Sequence, residues 1–283
     1  MGPETLSFCC APFLHVPLLD RLAPVRAAGF GAMSVNVGDV WALEAQGMPA
    51  REIAARIGDA GLALAEMECV ACWMPPHDGG SDDDLARMLR TMTPDAVIDT
   101  AARLGAPSVA VIDMGPDPAP IDHAAEAFAR LCDRAADHGL KAHIEFLAVG
   151  GIRTLDQAMA IVNAAGRANG GITVDAWHFH RSGSTLDALR AVPGDRVHAV
   201  QLCDALRHPM ADPWAELMTQ RLLPGEGVID LCALIATLDA IGCTAPTGVE
   251  VFHARQAEQT LAHTAHDWVT TTEAVMTTAR SPR

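Results

Sequence analysis

The sequence predicts one (β/α)8 barrel domain spanning residues 1–283, an α/β fold, and three observations carry that prediction. Short apolar runs alternate with helical patterns about eight times, which in a chain of this length matches eight βα units. Gly29, Gly61, Gly105, Gly139, Gly166 and Gly242 each stand just past a helical pattern, where a left-handed cap turns the chain towards the next strand. Four apolar runs in the second half each carry one oxygen-bearing side chain near the C-terminal end. A doubly wound open sheet is disfavoured, because no GxGxxG or GxxxxGK follows any run.

In order, strands are expected at residues 6–10, 32–37, 62–69, 108–112, 142–146, 171–175, 197–203 and 247–252, where β-forming apolar residues concentrate. Helices are expected between them at 17–28, 49–60, 94–104, 121–138, 154–165, 185–191, 228–241 and 258–278, from periodic or Ala-rich patterns. Thr93-Pro94-Asp95 supplies an N-cap, a first-turn proline and an acid in succession. The Pro- and Gly-rich stretches at 74–84 and 114–120 read as loops at one end of the barrel.

Composition narrows the function. Twenty basic residues against 35 acidic ones give a formal charge of −15, which argues against nucleic acid as a partner. A small-molecule substrate fits better, and a homo-oligomer is left open. There is no basic region followed by an apolar stretch at the N-terminus and no run of 18 apolar residues, so neither a secretory signal nor a membrane span is expected. The eight scattered cysteines fit reduced thiols in a cytoplasmic protein. Cys69-Val70-Ala71-Cys72 has the CxxC spacing but no second pair to complete a zinc site, and reads as two small hydrophobes.

The four strand ends are His143-Ile144-Glu145-Phe146, Thr173-Val174-Asp175-Ala176-Trp177-His178, Ala199-Val200-Gln201-Leu202-Cys203-Asp204 and Gly248-Val249-Glu250-Val251-Phe252. Unpaired buried carboxylates cost several kcal/mol, and a shared cation is the simplest compensation. Glu145, Asp175, Gln201 and Glu250 form an oxygen-rich set suited to a divalent metal. Their spacing fits consecutive strands, and strand alternation puts His143 on the face of Glu145. A lone glutamate at a strand end is more often an ion-pair partner; four together point to a metal.

These strand ends resemble those of the xylose-isomerase-like barrel superfamily, the sugar phosphate isomerase/epimerase group, and the resemblance covers essentially the whole chain. Arg221-Leu222-Leu223-Pro224-Gly225-Glu226-Gly227-Val228-Ile229-Asp230 also resembles the family's loop before the penultimate helix. The resemblance implies one divalent ion on Glu145, Asp175, Gln201 and Glu250, with Gln201 where many members have His. It also implies substrate contacts from His178, three residues after Asp175, and from Arg207, six residues after Gln201. The family's DNA-repair branch, with its His-rich trinuclear zinc site, does not fit this acidic chain.

By its chemistry His178 is an acid/base candidate, and His143 either orients the metal shell or fills the barrel. His180, Arg181 and His15 are weaker candidates. Phe13, Trp41, Trp73, Trp177 and Trp214 fall near loops after strands, where Trp177 in particular could pack on substrate; Trp268 reads as core. The expected enzyme is an isomerase or epimerase of a small polyhydroxylated carbonyl compound, a keto-sugar or keto-cyclitol, using Mn2+, Mg2+ or Co2+ in preference to Zn2+. Glu145 or Glu250 would remove the α-proton, with His178 assisting. The alternatives are a metal-dependent dehydratase of the 3-dehydroshikimate dehydratase type and a non-catalytic metal- or sugar-binding barrel.

Overall fold

Eight parallel strands close into a barrel in chain order, β1 pairing with both β2 and β8. The computed structural model describes residues 2, 4–74 and 83–281. The strands are β1 (Leu6–Phe8), β2 (Ala32–Asn36), β3 (Ala63–Val70), β4 (Ser108–Val111), β5 (Lys141–Glu145), β6 (Gly170–Asp175), β7 (Val197–Leu202) and β8 (Thr247–Val249). Each overlaps its expected run, because β-branched and apolar residues buried on both faces give near-continuous hydrophobic stretches.

Among the described residues twelve α-helices follow in sequence: α1 (Leu18–Ala28), α2 (Val37–Ala45), α3 (Ala50–Asp59), α4 (Asp84–Thr91), α5 (Pro94–Leu104), α6 (Ile121–Ala136), α7 (Leu155–Ala165), α8 (Ala176–Arg181), α9 (Leu186–Arg190), α10 (Pro213–Thr219), α11 (Leu231–Ala240) and α12 (Leu261–Arg280). The eight expected helices correspond to α1, α3, α5, α6, α7, α9, α11 and α12. The start of α12 lies three residues later than expected, because residues Ala254–Glu258 form a short 3-10 turn and Thr260 caps the helix. The other four were not expected. Helices α2 and α8 begin directly off β2 and β6, and each is started by the strand's last side chain: Asn36 accepts from Gly38 N at 2.9 Å and Asp175 from His178 N at 2.7 Å. Helices α4 and α10 are short surface turns capped by Asp83 and Asp212. Residues 114–120 are irregular, as expected; of the expected loop at 74–84, residues 75–82 lie outside the described ones.

The apolar core is the layer between sheet and helices. Phe8 points outward into it, its ring stacked 5.2 Å from Trp268 of α12, so Trp268 is core as expected. The interior of the barrel is polar instead: Ser7, Ser34, Glu66, Glu68, His143, Thr173, Asp175 and Gln201 are all buried. Register makes room for them. The β6–β7 pairing slips between Ile172 and Thr173, leaving His198 as the extra residue on β7. A Cβ on Gly171 would sit 2.6 Å from that imidazole, so only glycine fits there.

Candidate functional site

Glu145 and Asp175 are the last residues of β5 and β6. Asp175 is the register partner of Gln201, which is the partner of Gly248. Glu250 lies one residue past β8, and its N–H extends the ladder by bonding Leu202 O at 3.1 Å. All four expected side chains stand at or next to strand ends at the C-terminal mouth, where barrel enzymes carry their chemistry. Carboxylate oxygens of Glu145, Asp175 and Glu250 lie within 4.8 Å of one another. Gln201 is buried beside them on the inner face, its Cγ 3.4 Å from where a Cβ on Gly248 would be, and its Oε1 has no hydrogen-bond partner. Glu145 is the most open of the three acids, with 12% of its side chain exposed against 7% for Glu250 and 0% for Asp175.

The cluster contains a residue that the sequence singled out only as part of a loop motif. Arg221, fully buried, donates through Nη1 to Asp175 Oδ2 at 2.8 Å and to Glu250 Oε2 at 3.1 Å. Its guanidinium lies 5.5 Å from the Trp177 ring and 5.3 Å from the Phe252 ring, a cation–π sandwich. The loop carrying it is pinned by the buried Asp204, whose carboxylate accepts from the N–H groups of Ala205, Gly225 and Ile229 at 2.8, 3.1 and 2.9 Å.

His178 is buried against the cluster on the first turn of α8. Its Nδ1 accepts from Ala148 N at 3.0 Å, and burial pushes the ring's pKa down to about 3, beyond what Asp175 restores. The ring is therefore neutral, and donors face both of its nitrogens: Ala148 N–H at Nδ1 and the Arg221 guanidinium at Nε2. That Nε2 sits 3.9 Å from Glu145 Oε1 and 3.2 Å from Arg221 Nη2. Burial thus favours a neutral imidazole at the mouth over an imidazolium acid.

The other expected residues are placed as follows. Trp177 is buried behind the cluster, donating to Glu216 Oε1 at 3.3 Å and packing edge-on against His178; its indole supports Arg221 and does not face the mouth. Arg181 is tied to the same Glu216 at 2.5 Å. His143 is fully buried below Glu145, with Nδ1 at 2.8 Å from Thr173 Oγ1 and Nε2 at 3.2 Å from Ser108 Oγ. Glu66 Oε2 also lies 3.1 Å from His143 Nε2, close enough to attract it but not aligned for a hydrogen bond. Arg207 is exposed and is not among the residues that meet the carboxylates; Arg221 is the arginine that does. Phe13 is core, and Trp41 bonds Thr100 at 2.9 Å. All eight cysteines are free.

Electrostatics and donor chemistry together test whether a divalent ion fits. Burial raises the Glu145 carboxyl well above its ordinary range, and Glu250 and Asp175 add to the effect. Burial likewise lifts Glu250 to about 8, although Arg221 opposes it. Arg221 itself is held charged: burial disfavours it, but Asp175, Cys203 and Glu250 outweigh that. Fully ionised, as they would be around a cation, the three carboxylates against one guanidinium would leave two negative charges, the charge of one divalent ion. With Gln201 Oε1 lacking a partner beside them, these residues fit such an ion. Glu145, Asp175, Gln201 and Glu250 would hold it.

Two further acids are buried in the barrel on β3, and the sequence reading did not single them out. Glu66 and Glu68 alternate inward, and burial together with Glu66 raises Glu68 to about 7. Their spacing repeats the strand-end carboxylate pattern, which is the signal that marks them in the sequence.

Two cavities open near this end. One, of about 280 Å³, is lined by Cys72, Trp73, Met74, Asp113, Met114 and Trp214 among others, and by none of the cluster carboxylates. A second, of about 150 Å³, reaches Arg221 past Glu226, His253 and Gln256. The indoles of Trp73 and Trp214 thus flank a chamber beside the cluster rather than the cluster itself.

Comparison with known proteins agrees with this architecture. The chain is 33% identical over 154 residues to an inosose isomerase of Bacillus velezensis, a match covering 54% of each chain. It is 29% identical over 238 residues to a 3-dehydroshikimate dehydratase of Pseudomonas aeruginosa, covering 83% of this chain and 36% of that one. The chain thus spans about half the length of the inosose isomerases it matches, and about a third of the dehydratases. Among solved structures, the IOLI protein with a bound zinc atom superposes with a TM-score of 0.84 at 20% identity, covering 99% of this chain and 100% of that one. An L-ribulose 3-epimerase superposes with a TM-score of 0.72 at 19% identity, covering 97% and 95%. The sequence pattern of one family matches residues 22–272, and with the closed eight-stranded barrel and its mouth described, the chain belongs to the xylose isomerase-like TIM barrel family.

Proposed function

We propose that this protein is a divalent-metal-dependent isomerase or epimerase of a small polyhydroxylated carbonyl compound, a keto-sugar or keto-cyclitol. The observation that carries the reading is the meeting of Glu145 and Glu250, from β5 and β8, within 4.8 Å at a buried mouth that Arg221 only partly neutralises. Inosose isomerase matches and the fold of an epimerase support it.

The bound ion would polarise the substrate carbonyl and lower the cost of enolate charge; the oxygen and amide donors suit Mn2+, Mg2+ or Co2+. Glu145, the more open acid, is placed to remove the α-proton. Glu250 is the carboxyl across the cluster that can return a proton to the other face. Arg221 holds Asp175 and Glu250 in position through its two Nη1 hydrogen bonds. His178 is a neutral ring whose Nε2 lies between Glu145 and Arg221, lining the mouth beside the place of a substrate oxygen. Buried carboxylates are costly without a cation, which counts against an inert barrel; turnover of a keto-sugar or keto-cyclitol separates catalysis from a purely binding role.

A second reading has its own support. The match to 3-dehydroshikimate dehydratases extends over 83% of this chain, and the same proton abstraction followed by loss of a β-hydroxyl, protonated by a cluster carboxyl as it leaves as water, gives dehydration. Solvent-deuterium exchange screened over keto-sugars, keto-inositols and dehydroshikimate tests both. Exchange into a keto-sugar or keto-inositol supports isomerisation or epimerisation; exchange and water loss confined to dehydroshikimate supports the dehydratase. Absence of exchange with every one, in metal-loaded protein, removes the proton-transfer reading.

A further inference from the structure

We propose that the barrel contains a second cation site, formed by the Cys9 sulfur and the Glu68 carboxylate with Glu250 shared, which takes a thiophilic divalent ion such as Zn2+ or Co2+. The proposal rests on the preceding reading only in that Glu250 belongs to both sites.

Geometry comes first. Ligand atoms of Cys9, Glu68 and Glu250 lie within 4.8 Å of one another, and all three residues are buried. Donors bonded to zinc at about 2.0–2.3 Å lie about 3.3–3.7 Å apart, so small side-chain rotations close this group around an ion. The backbone beneath is fixed. Cys9 follows β1 and its N–H bonds Val249 O at 3.2 Å, next to Glu250, while Glu68 is held within β3. A Cβ on Gly248 would sit 2.9 Å from Cys9 Sγ and 3.4 Å from Gln201 Cγ, so the sulfur and the amide share one interior wall.

The second observation is independent of that spacing. Glu68 is 7% exposed, and its Oε1 is buried with no hydrogen-bond partner. Its other oxygen accepts from the Cys10 thiol at 3.4 Å, and the Ser34 hydroxyl also stabilises the carboxylate. An unmatched carboxylate oxygen in a closed interior is costly, and the group it faces supplies two further donors and no cation.

Charge balance points the same way. Inside the barrel lie Glu66, Glu68, Glu145, Asp175 and Glu250, opposed by Arg221. One divalent ion with Arg221 neutralises Glu145, Asp175 and Glu250. Glu66 Oε2 also lacks a hydrogen-bond partner but lies 3.1 Å from His143 Nε2 and outside the Cys9 group. Glu68 is the acid that lies beside a thiol. A thiolate donor selects soft or borderline ions and rejects Mg2+, so the two sites differ in preference: oxygen and amide at one, sulfur and carboxylate at the other. Binding forms a metal–sulfur bond and releases the Cys9 thiol proton to solvent.

Full-length protein, stripped by chelator and reloaded with Co2+, tests the site by metal analysis and near-ultraviolet absorption. The expected result is two Co2+ per chain with a thiolate-to-cobalt charge-transfer band. Cys9→Ala should lose the band and one Co2+, and Glu68→Gln should weaken the same equivalent; Glu145→Gln should spare the band. Circular dichroism establishes that each variant is folded, and Glu68→Gln keeps the test open if Cys9→Ala is not. A single Co2+ without the band, or a band that survives Cys9→Ala, overturns the second site and leaves the first intact. No Co2+ bound at all overturns both.

Discussion

Replacing Arg221 by Gln should destabilise the metal-free protein strongly and the metal-loaded protein much less. In the structure Arg221 is buried to 1% side-chain exposure and bridges Asp175 at 2.8 Å and Glu250 at 3.1 Å. Removing one partner of a buried ion pair costs about 3–5 kcal/mol, because the charge left behind is neither solvated nor paired. Burial already raises Glu145 and Glu250, so both can take up protons when the guanidinium goes. That places the loss near the low end, about 3 kcal/mol. At about 2–4 °C per kcal/mol for chains of roughly this size, Tm in chelator should fall by about 6–12 °C. A divalent ion on the same carboxylates replaces the missing charge, so saturating Mn2+ should recover more than half of the drop. Thermal scans of wild type and Arg221→Gln, each with chelator and with Mn2+, supply the four numbers. An equal drop in both conditions would falsify the claim that Arg221 and the ion neutralise one set of carboxylates. An unchanged Tm in chelator would show that the pair carries no net energy.

Glu145→Gln should lower turnover by at least about 10²-fold, the range of lost general-base catalysis, with bound metal quantified alongside; near-normal turnover in fully loaded variant would remove Glu145 as base. Gly227→Ala places a Cβ 2.3 Å from Ala205 O and 2.4 Å from Asp204 Oδ1, so the loop must shift. Since that loop carries Arg221, activity should fall more than Tm, and unchanged kinetics would show that the loop does not position the arginine. Burial, with His143 and Lys141, lowers His198 to about 3. A depressed imidazole pKa means that the unfolded chain binds the proton first, so this contribution is intact above about pH 6.5 and is lost as pH falls towards 3. The slope is about 1.4 kcal/mol per pH unit. Denaturant melts of wild type and His198→Gln across that window should show a shallower pH dependence in the variant, and parallel curves would count against it.

Much of this was legible in sequence because it depends on period and punctuation. The strands followed apolar runs, and Gly29, Gly105 and Gly166 cap helices with positive φ as expected. Glu145, Asp175, Gln201 and Glu250 were readable because strand ends in a parallel barrel converge whatever the loops do. Helices α2 and α8 were not readable: the strand's last residue doubles as the helix cap, so no gap separates the two patterns. Arg221 was invisible as a cluster member because a long loop folds it back across the mouth through backbone bonds to Asp204, and offset along the chain pointed to Arg207 instead. The orientation of Trp177 was not readable for a related reason. Position beside the site does not tell which way an indole points, and α8 turns it inward towards Glu216.

Asp175 divides its two oxygens between different tasks: Oδ1 starts α8 through His178 N, and Oδ2 holds Arg221. Alanine at this position would therefore fray a helix, release an arginine and remove a carboxylate at once, and a dead Asp175→Ala enzyme would be ambiguous evidence about metal. Asparagine separates these effects, because its amide oxygen can still cap α8 while the negative charge is gone. The order of substitutions then becomes a diagnostic in itself: activity lost at Asn reports on charge, and only the further loss from Asn to Ala reports on the helix.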